Sequence, residues 1–104
     1  MRILSEGHRY ELENFDNKQD DGQEIQFIET KPIADGCTLL ATAVDGTTNE
    51  EVLEVLIDRM IYLQSKFPCR ENAIVITKLE ESLMWLNKRT SDRQKRSVEG
   101  RNEK

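Results

Sequence analysis

The chain has 104 residues, 20 of them acidic and 15 basic, for a net charge of -5, and 37% are hydrophobic. That length predicts one domain around a single small core, one that association with a second copy would help to stabilise. No stretch approaches the roughly 20 apolar residues a membrane span needs, and neither end carries a lipidation motif.

Charge is unevenly placed. Residues 88–104 hold seven Lys/Arg against three Asp/Glu, a net of +4, which leaves residues 1–87 at -9. An acidic body with one basic end excludes broad, sequence-independent binding to a nucleic acid duplex, which needs an extended basic surface. A compact anion pocket fits better. Cys37 and Cys69 stand far apart without metal-ligand companions or a signal peptide, so neither a zinc site nor a secreted disulfide framework is expected. Reduced thiols in a cytoplasm are the default, and no cofactor or metal is called for.

Taken in chain order, residues 8–15 place apolar Tyr10, Leu12 and, after a break, Phe15 among polar neighbours, the pattern of a strand. The polar run Asn17–Gln23, with its Asp21-Gly22 pair, should turn the chain into a second strand over Glu24–Thr30. Pro32 and Asp35-Gly36 mark another turn, and Thr38–Val44 is β-branched enough for a third strand. The expected fold class is α+β: a small N-terminal antiparallel β-sheet followed by two long α-helices. Thr47 or Thr48 caps the first helix, with Glu50 and Glu51 three residues on as in a capping box. That helix runs to about Lys66, and its apolar positions (Val52, Val55, Leu56, Ile57, Met60, Ile61, Leu63) cover more than one narrow stripe, as burial on two sides requires. Phe67-Pro68 ends it. The second helix starts at Cys69–Glu71, turns Ile74, Ile76, Leu79, Leu83 and Leu86 inward, and reaches about residue 96, roughly 40 Å at 1.5 Å per residue. A helix that long overhangs a domain of this size, which places its arginine end at or across a subunit interface. Residues 1–100 read as one ligand-holding domain and 101–104 as a frayed tail.

Arg89, Arg93 and Arg96 are three and four residues apart and share a helical face, where guanidinium forks can hold phosphate oxygens bidentately. The competing reading is compensation of the helix dipole by C-terminal cations, typically a few tenths to about 1 kcal/mol each, and spacing alone favours it. Tyr62 offers a ring to stack on a base and Asn72 an amide to read its edge; each equally reads as a helix-face aromatic in the core and a first-turn residue. Trp85, among Leu83, Met84 and Leu86, reads as core or interface packing. With His8 the only histidine, no motif around a nucleophile and no Gly-rich phosphate loop, enzyme is the weak hypothesis.

Together these residues resemble the first type of Thoeris anti-defence proteins, small phage-encoded sponges that sequester cyclic ADP-ribose signalling isomers. The likeness covers nearly the whole chain. It rests on Arg9-Tyr10-Glu11-Leu12 with Asn14-Phe15, Gln26-Phe27-Ile28-Glu29, Asp45-Gly46-Thr47-Thr48-Asn49-Glu50-Glu51-Val52, and Leu56-Ile57-Asp58-Arg59. It continues through Leu79-Glu80, Leu83, Trp85-Leu86, Arg89, Arg93, Arg96 and Val98-Glu99-Gly100. The resemblance implies a binding protein without catalysis, whose sheet and two helices form dimers that enclose the signal molecule between subunits. It puts the ring-stacking aromatic on Tyr62, the ligand-binding amide on Asn72 and the phosphate-binding arginines on Arg89 and Arg93. Arg9, Arg70 and Arg96 are secondary candidates, with the Thr47-Thr48 helix start offering backbone N–H groups to an anion.

Two positions depart from the family pattern. Tyr62 stands where Phe is common, and Ser97 stands where a Gly commonly follows the arginine, which affects how Arg96 is posed. Some relatives resemble hexamers of three dimers that also hold cyclic oligonucleotides in separate pockets; no such pocket is read from this chain. The implied role is stoichiometric capture, without degradation, of a cyclic ADP-ribose isomer such as glyco-cyclic ADP-ribose in the host bacterial cytoplasm, which silences Thoeris immunity. The rival readings are a hydrolase or cyclase of the same nucleotide, and a partner-binding or virion-assembly module that uses the long C-terminal helix as its surface.

Overall fold

A computed structural model describes residues 1–95 of the chain. The elements follow the order β1 (Arg2–Ser5), β2 (Arg9–Glu11), β3 (Glu24–Gln26), β4 (Glu29–Pro32), β5 (Leu40–Val44), α1 (Asn49–Lys66) and α2 (Arg70–Lys95). The strands pair antiparallel and precede two helices of 18 and 26 residues, the α+β architecture expected. The chain divides into two compact units, Met1–Thr48 and a second that starts at Asn49.

In the first unit the strands form a three-stranded sheet in the order β1-β2-β3 and a separate β4-β5 pair, rather than one sheet. Residues 8–15 hold a strand shorter than expected, and β1 precedes it unannounced. A tight turn joins β1 to β2: Gly7 takes φ +77°, and the His8 N–H donates to the Ser5 carbonyl at 3.0 Å. Only glycine adopts that φ at little cost. Past β2, the Leu12 N–H still donates to the Gln23 carbonyl at 2.7 Å, and the Asn14 amide donates to the Asp21 carbonyl at 3.2 Å. The side chain thus folds the polar loop back on itself, in the way Asn competes with strand pairing.

The expected strand over 24–30 is split. Phe27 leaves β3 for a parallel bridge to Thr47. The Thr47 N–H donates to the Gln26 carbonyl and the Ile28 N–H to the Thr47 carbonyl, both at 2.8 Å. A side chain at Gly46 would collide with the Gln26 carbonyl, so this approach requires glycine. Tyr10 and Phe27 meet edge to face, centroids 6.0 Å apart at 82°, a preferred aromatic geometry.

In the second unit α1 begins directly after Thr48, with Glu50 and Glu51 in its first turn and Lys66 in its last, charges that complement the helix dipole. Phe67-Pro68 ends it, as its sequence predicts. The Gln64 amide then pairs with the Cys69 backbone in both senses: Nε2 donates to the Cys69 carbonyl at 3.1 Å, and Oε1 accepts from the Cys69 N–H at 3.0 Å. Cys69 in turn opens α2, its Sγ accepting from the Asn72 N–H at 3.4 Å and its carbonyl from the Ala73 N–H at 3.3 Å.

Half-buried residues on α2 recur at Asn72, Ile76, Leu79, Leu83, Leu86, Thr90 and Arg93, alternating steps of four and three. This is the seam of a helix packed nearly parallel or antiparallel on a neighbour. Leu53, Ile57, Met60 and Gln64 form the same pattern on α1. Ile74, expected to point inward, is 41% exposed, one step off that seam. Among the described residues none is fully buried, and Val55, Leu56, Ile61, Val75, Met84 and Trp85 stay exposed along the hairpin.

Candidate functional site

The helical hairpin carries all four primary candidates, at its two ends. Tyr62 lies in the last turn and a half of α1 and Asn72 is the third residue of α2, so both flank the turn. Tyr62 is 56% exposed, so the core reading of this residue does not hold. One face is taken by the Lys66 ammonium, 5.4 Å from the ring centroid, a cation–π contact one helical turn away. Its backbone is held as well, the Tyr62 carbonyl accepting from Ser65 Oγ at 2.6 Å. Asn72 is half-buried, and the Gln64–Cys69 pairing fixes the turn between it and Tyr62.

Arg89 and Arg93 sit near the other end. α2 exceeds α1 by eight residues, and both arginines fall in that last stretch. Arg89 is exposed, and Arg93 is half-buried with its Nε shielded from solvent. Lys88 pairs with Asp92 at 2.8 Å, an ordinary i,i+4 surface pair. Arg89 lines a cleft of about 230 Å³ together with Trp85, Lys88 and Asp92.

Distance separates the two ends. Asn72 and Arg89 are 17 residues apart on one helix, roughly 25 Å along its axis at 1.5 Å per residue. One hairpin therefore carries Tyr62 and Asn72 at its turn end and Arg89 and Arg93 at the other, without joining the two pairs around a small ligand. A groove of the hairpin, about 600 Å³, holds none of the four. Ile57, Ile61, Leu83 and Met84 line it together with Glu54, Asp58 and Glu80, whose charges repel a phosphate.

The secondary candidates are scattered. Arg9, on β2, is ion-paired across the sheet with Glu24. Arg70 opens α2 and is exposed. Thr47 has its own N–H committed to the Gln26 carbonyl, and Thr48 stands at the N-cap position of α1. Arg96, with Ser97 and the 101–104 tail, lies outside the described residues. No group of His, Cys, Asp and Glu among the described residues is arranged to hold a metal ion, and no described helix is long and apolar enough to cross a membrane.

The family model described as "Acb2/Tad1, hairpin domain" matches residues 20–91, more than half of the chain. The chain belongs to this family. The matched span contains Thr47, Thr48, Tyr62, Arg70, Asn72 and Arg89, and leaves Arg9, Arg93 and Arg96 outside it. A curated relative from Bacillus phage SBSphiJ7, named "Thoeris anti-defense 1", is 57% identical over 61 residues, which cover 58% of this chain and 43% of the relative. The chain thus matches less than half the length of that relative.

Sequence reasoning passed over two residues near these positions, Lys66 and Gln64. Lys66 was legible as the i+4 neighbour of Tyr62. Gln64 carried no signal, because a side chain that pairs with a backbone across a turn is invisible to periodicity. Trp85, read as core or interface, is 62% exposed, so the core half of that reading does not hold.

Proposed function

We propose that this protein is a phage anti-defence sponge: it binds a cyclic ADP-ribose isomer, such as glyco-cyclic ADP-ribose, between two subunits in the host bacterial cytoplasm and releases it unchanged. Thoeris signalling is thereby silenced without catalysis. Family membership and the anti-defence name of its relative support the biological role. The separation of the two residue pairs on one hairpin carries the reading of the site, because an anion site built from all four residues needs a second copy. In an antiparallel pair of hairpins, Tyr62 and Asn72 of one copy meet Arg89 and Arg93 of the other, and symmetry repeats the arrangement at the opposite end.

The chemistry of the four groups suits such a ligand. The guanidinium forks grip the pyrophosphate in charge-assisted, bidentate contacts. Tyr62 stacks on adenine with the face that Lys66 leaves open, and Asn72 hydrogen-bonds to polar atoms of the ligand. Enclosure between subunits slows release, where most affinity is set. The exposed apolar residues of the hairpin support association into dimers, and into hexamers of three dimers as in some relatives, where cyclic oligonucleotides would take separate pockets.

Calorimetric titration of the purified protein with cyclic ADP-ribose isomers, followed by heating the complex and identifying what is released, tests this reading. Tight binding with intact ligand recovered is the expected result. Recovery of cleaved products points to an enzyme. The absence of binding to any isomer or cyclic oligonucleotide, with no stabilisation against heat, points to the partner-binding or virion-assembly module.

A further inference from the structure

We infer that Trp85 is a further ligand-contacting residue of this site, its indole forming an aromatic wall beside Arg89 for the planar base of the ligand whose phosphates Arg89 holds. The inference rests on the proposed two-copy site and adds to it a residue on the arginine side.

Two observations carry it, and the geometry of the proposed assembly agrees with them. The first is exposure. Leu83 and Leu86, on either side, are half-buried in the α2 seam, whereas Trp85 turns away from it at 62% exposure. A large apolar ring displayed at this exposure on a helix face has contact area to give to something else.

The second is the cleft. Trp85 and Arg89 are one helical turn apart on the same face and together line the cleft of about 230 Å³ with Lys88 and Asp92. Lys88 is ion-paired with Asp92 at 2.8 Å. No ion pair to Arg89 is seen among the described residues, so the cleft sets one guanidinium beside one indole. Such a pairing takes a phosphate and a planar ring at once, as base-stacking sites do.

Axial position in the proposed two-copy site agrees. When Asn72 of one copy is level with Arg89 of an antiparallel second copy, the Trp85 of that second copy falls level with Ile76 of the first. That is about 6 Å from the Asn72–Arg89 level, toward the middle of the pair. Trp85 is then within one ligand's reach of the arginine and lies on the side from which Tyr62 approaches.

The sequence contains a single tryptophan, so its emission reports on this position alone. The test is a fluorescence titration of the full chain with glyco-cyclic ADP-ribose, run beside calorimetry and sedimentation for the wild type, Trp85→Ala and Trp85→Phe. A saturable change in emission is expected, with the calorimetric midpoint. Trp85→Ala is expected to weaken binding about tenfold or more, the size of one lost base–aromatic stack, while Trp85→Phe stays within about threefold and both variants keep the wild-type assembly. Tight calorimetric binding with unchanged emission, or with Trp85→Ala at wild-type affinity, overturns the role of Trp85 and leaves the sponge reading intact. Dissociation of the Trp85→Ala assembly also overturns it and makes Trp85 an interface residue. Absence of binding by either method to the wild type removes both readings together.

Discussion

The two ends of the helical hairpin are built on different terms. At the turn, one side-chain amide pairs with the Cys69 backbone in both directions, Cys69 opens α2, and Ser65 holds the Tyr62 carbonyl, so Tyr62 and Asn72 stand on backbone fixed by named bonds. At the far end α2 outruns α1, and Arg89 is exposed on that last stretch of helix. One end is preorganised and the other is charged. A ligand that needs both gains orientation from the first and attraction from the second, the division that limits the entropy lost on binding.

The sharpest break of this contrast is at the charged end. Replacing Arg89 or Arg93 by Ala is expected to weaken capture of a cyclic ADP-ribose isomer by at least about 100-fold, since each change removes charge-assisted bonds worth about 1.5–3 kcal/mol apiece. Circular dichroism should show the helices unchanged, and wild-type affinity in both variants would sink the proposed site. Next in size is the seam that both ends share. Leu83→Ala removes a half-buried side chain and should cost about 2 kcal/mol of stability, at the low end for such truncations, read as a lower urea midpoint.

The turn end gives a smaller effect. Gln64→Ala deletes both bonds to Cys69 and should lower stability by about 1 kcal/mol, and affinity should fall several-fold because the spacing between Tyr62 and Asn72 loosens. A loss of stability without any loss of affinity would show that the turn does not preorganise the site. Smallest is Tyr62→Phe, which keeps the ring and removes the hydroxyl. Affinity is expected to stay within about threefold, and Tyr62→Ala should lose roughly tenfold, the cost of one stack. Equal losses in the two variants would assign the contact to the hydroxyl.

Much of the hairpin was legible in the sequence. Seven-residue spacing from Ile76 to Leu86, the Thr48 start and the Phe67-Pro68 stop are local signals, and helices are made by local bonds. The strands were less legible because their partners are distant. The parallel bridge of Phe27 to Thr47 splits the expected second strand, and nothing within either segment announces it. β1 escaped notice because its turn uses Glu6-Gly7-His8 in place of an Asn-Gly or Asp-Gly pair. Ile74 and Trp85 show a different limit: hydrophobicity says that a side chain gains by being covered, and it does not say by which molecule. The candidate site was half legible, since spacing grouped the arginines and the turn grouped Tyr62 with Asn72. The need to join the two groups emerges only from the length of α2.

The Gln64–Cys69 pairing is uncharged, and that has a consequence for ionic strength. Salt screens exposed guanidinium groups over a Debye length of about 8 Å at physiological concentration and leaves a neutral amide pair untouched. Added salt should therefore weaken the arginine contacts and spare the Gln64–Cys69 pairing, so that a salt series separates attraction from orientation in the same molecule without a single substitution.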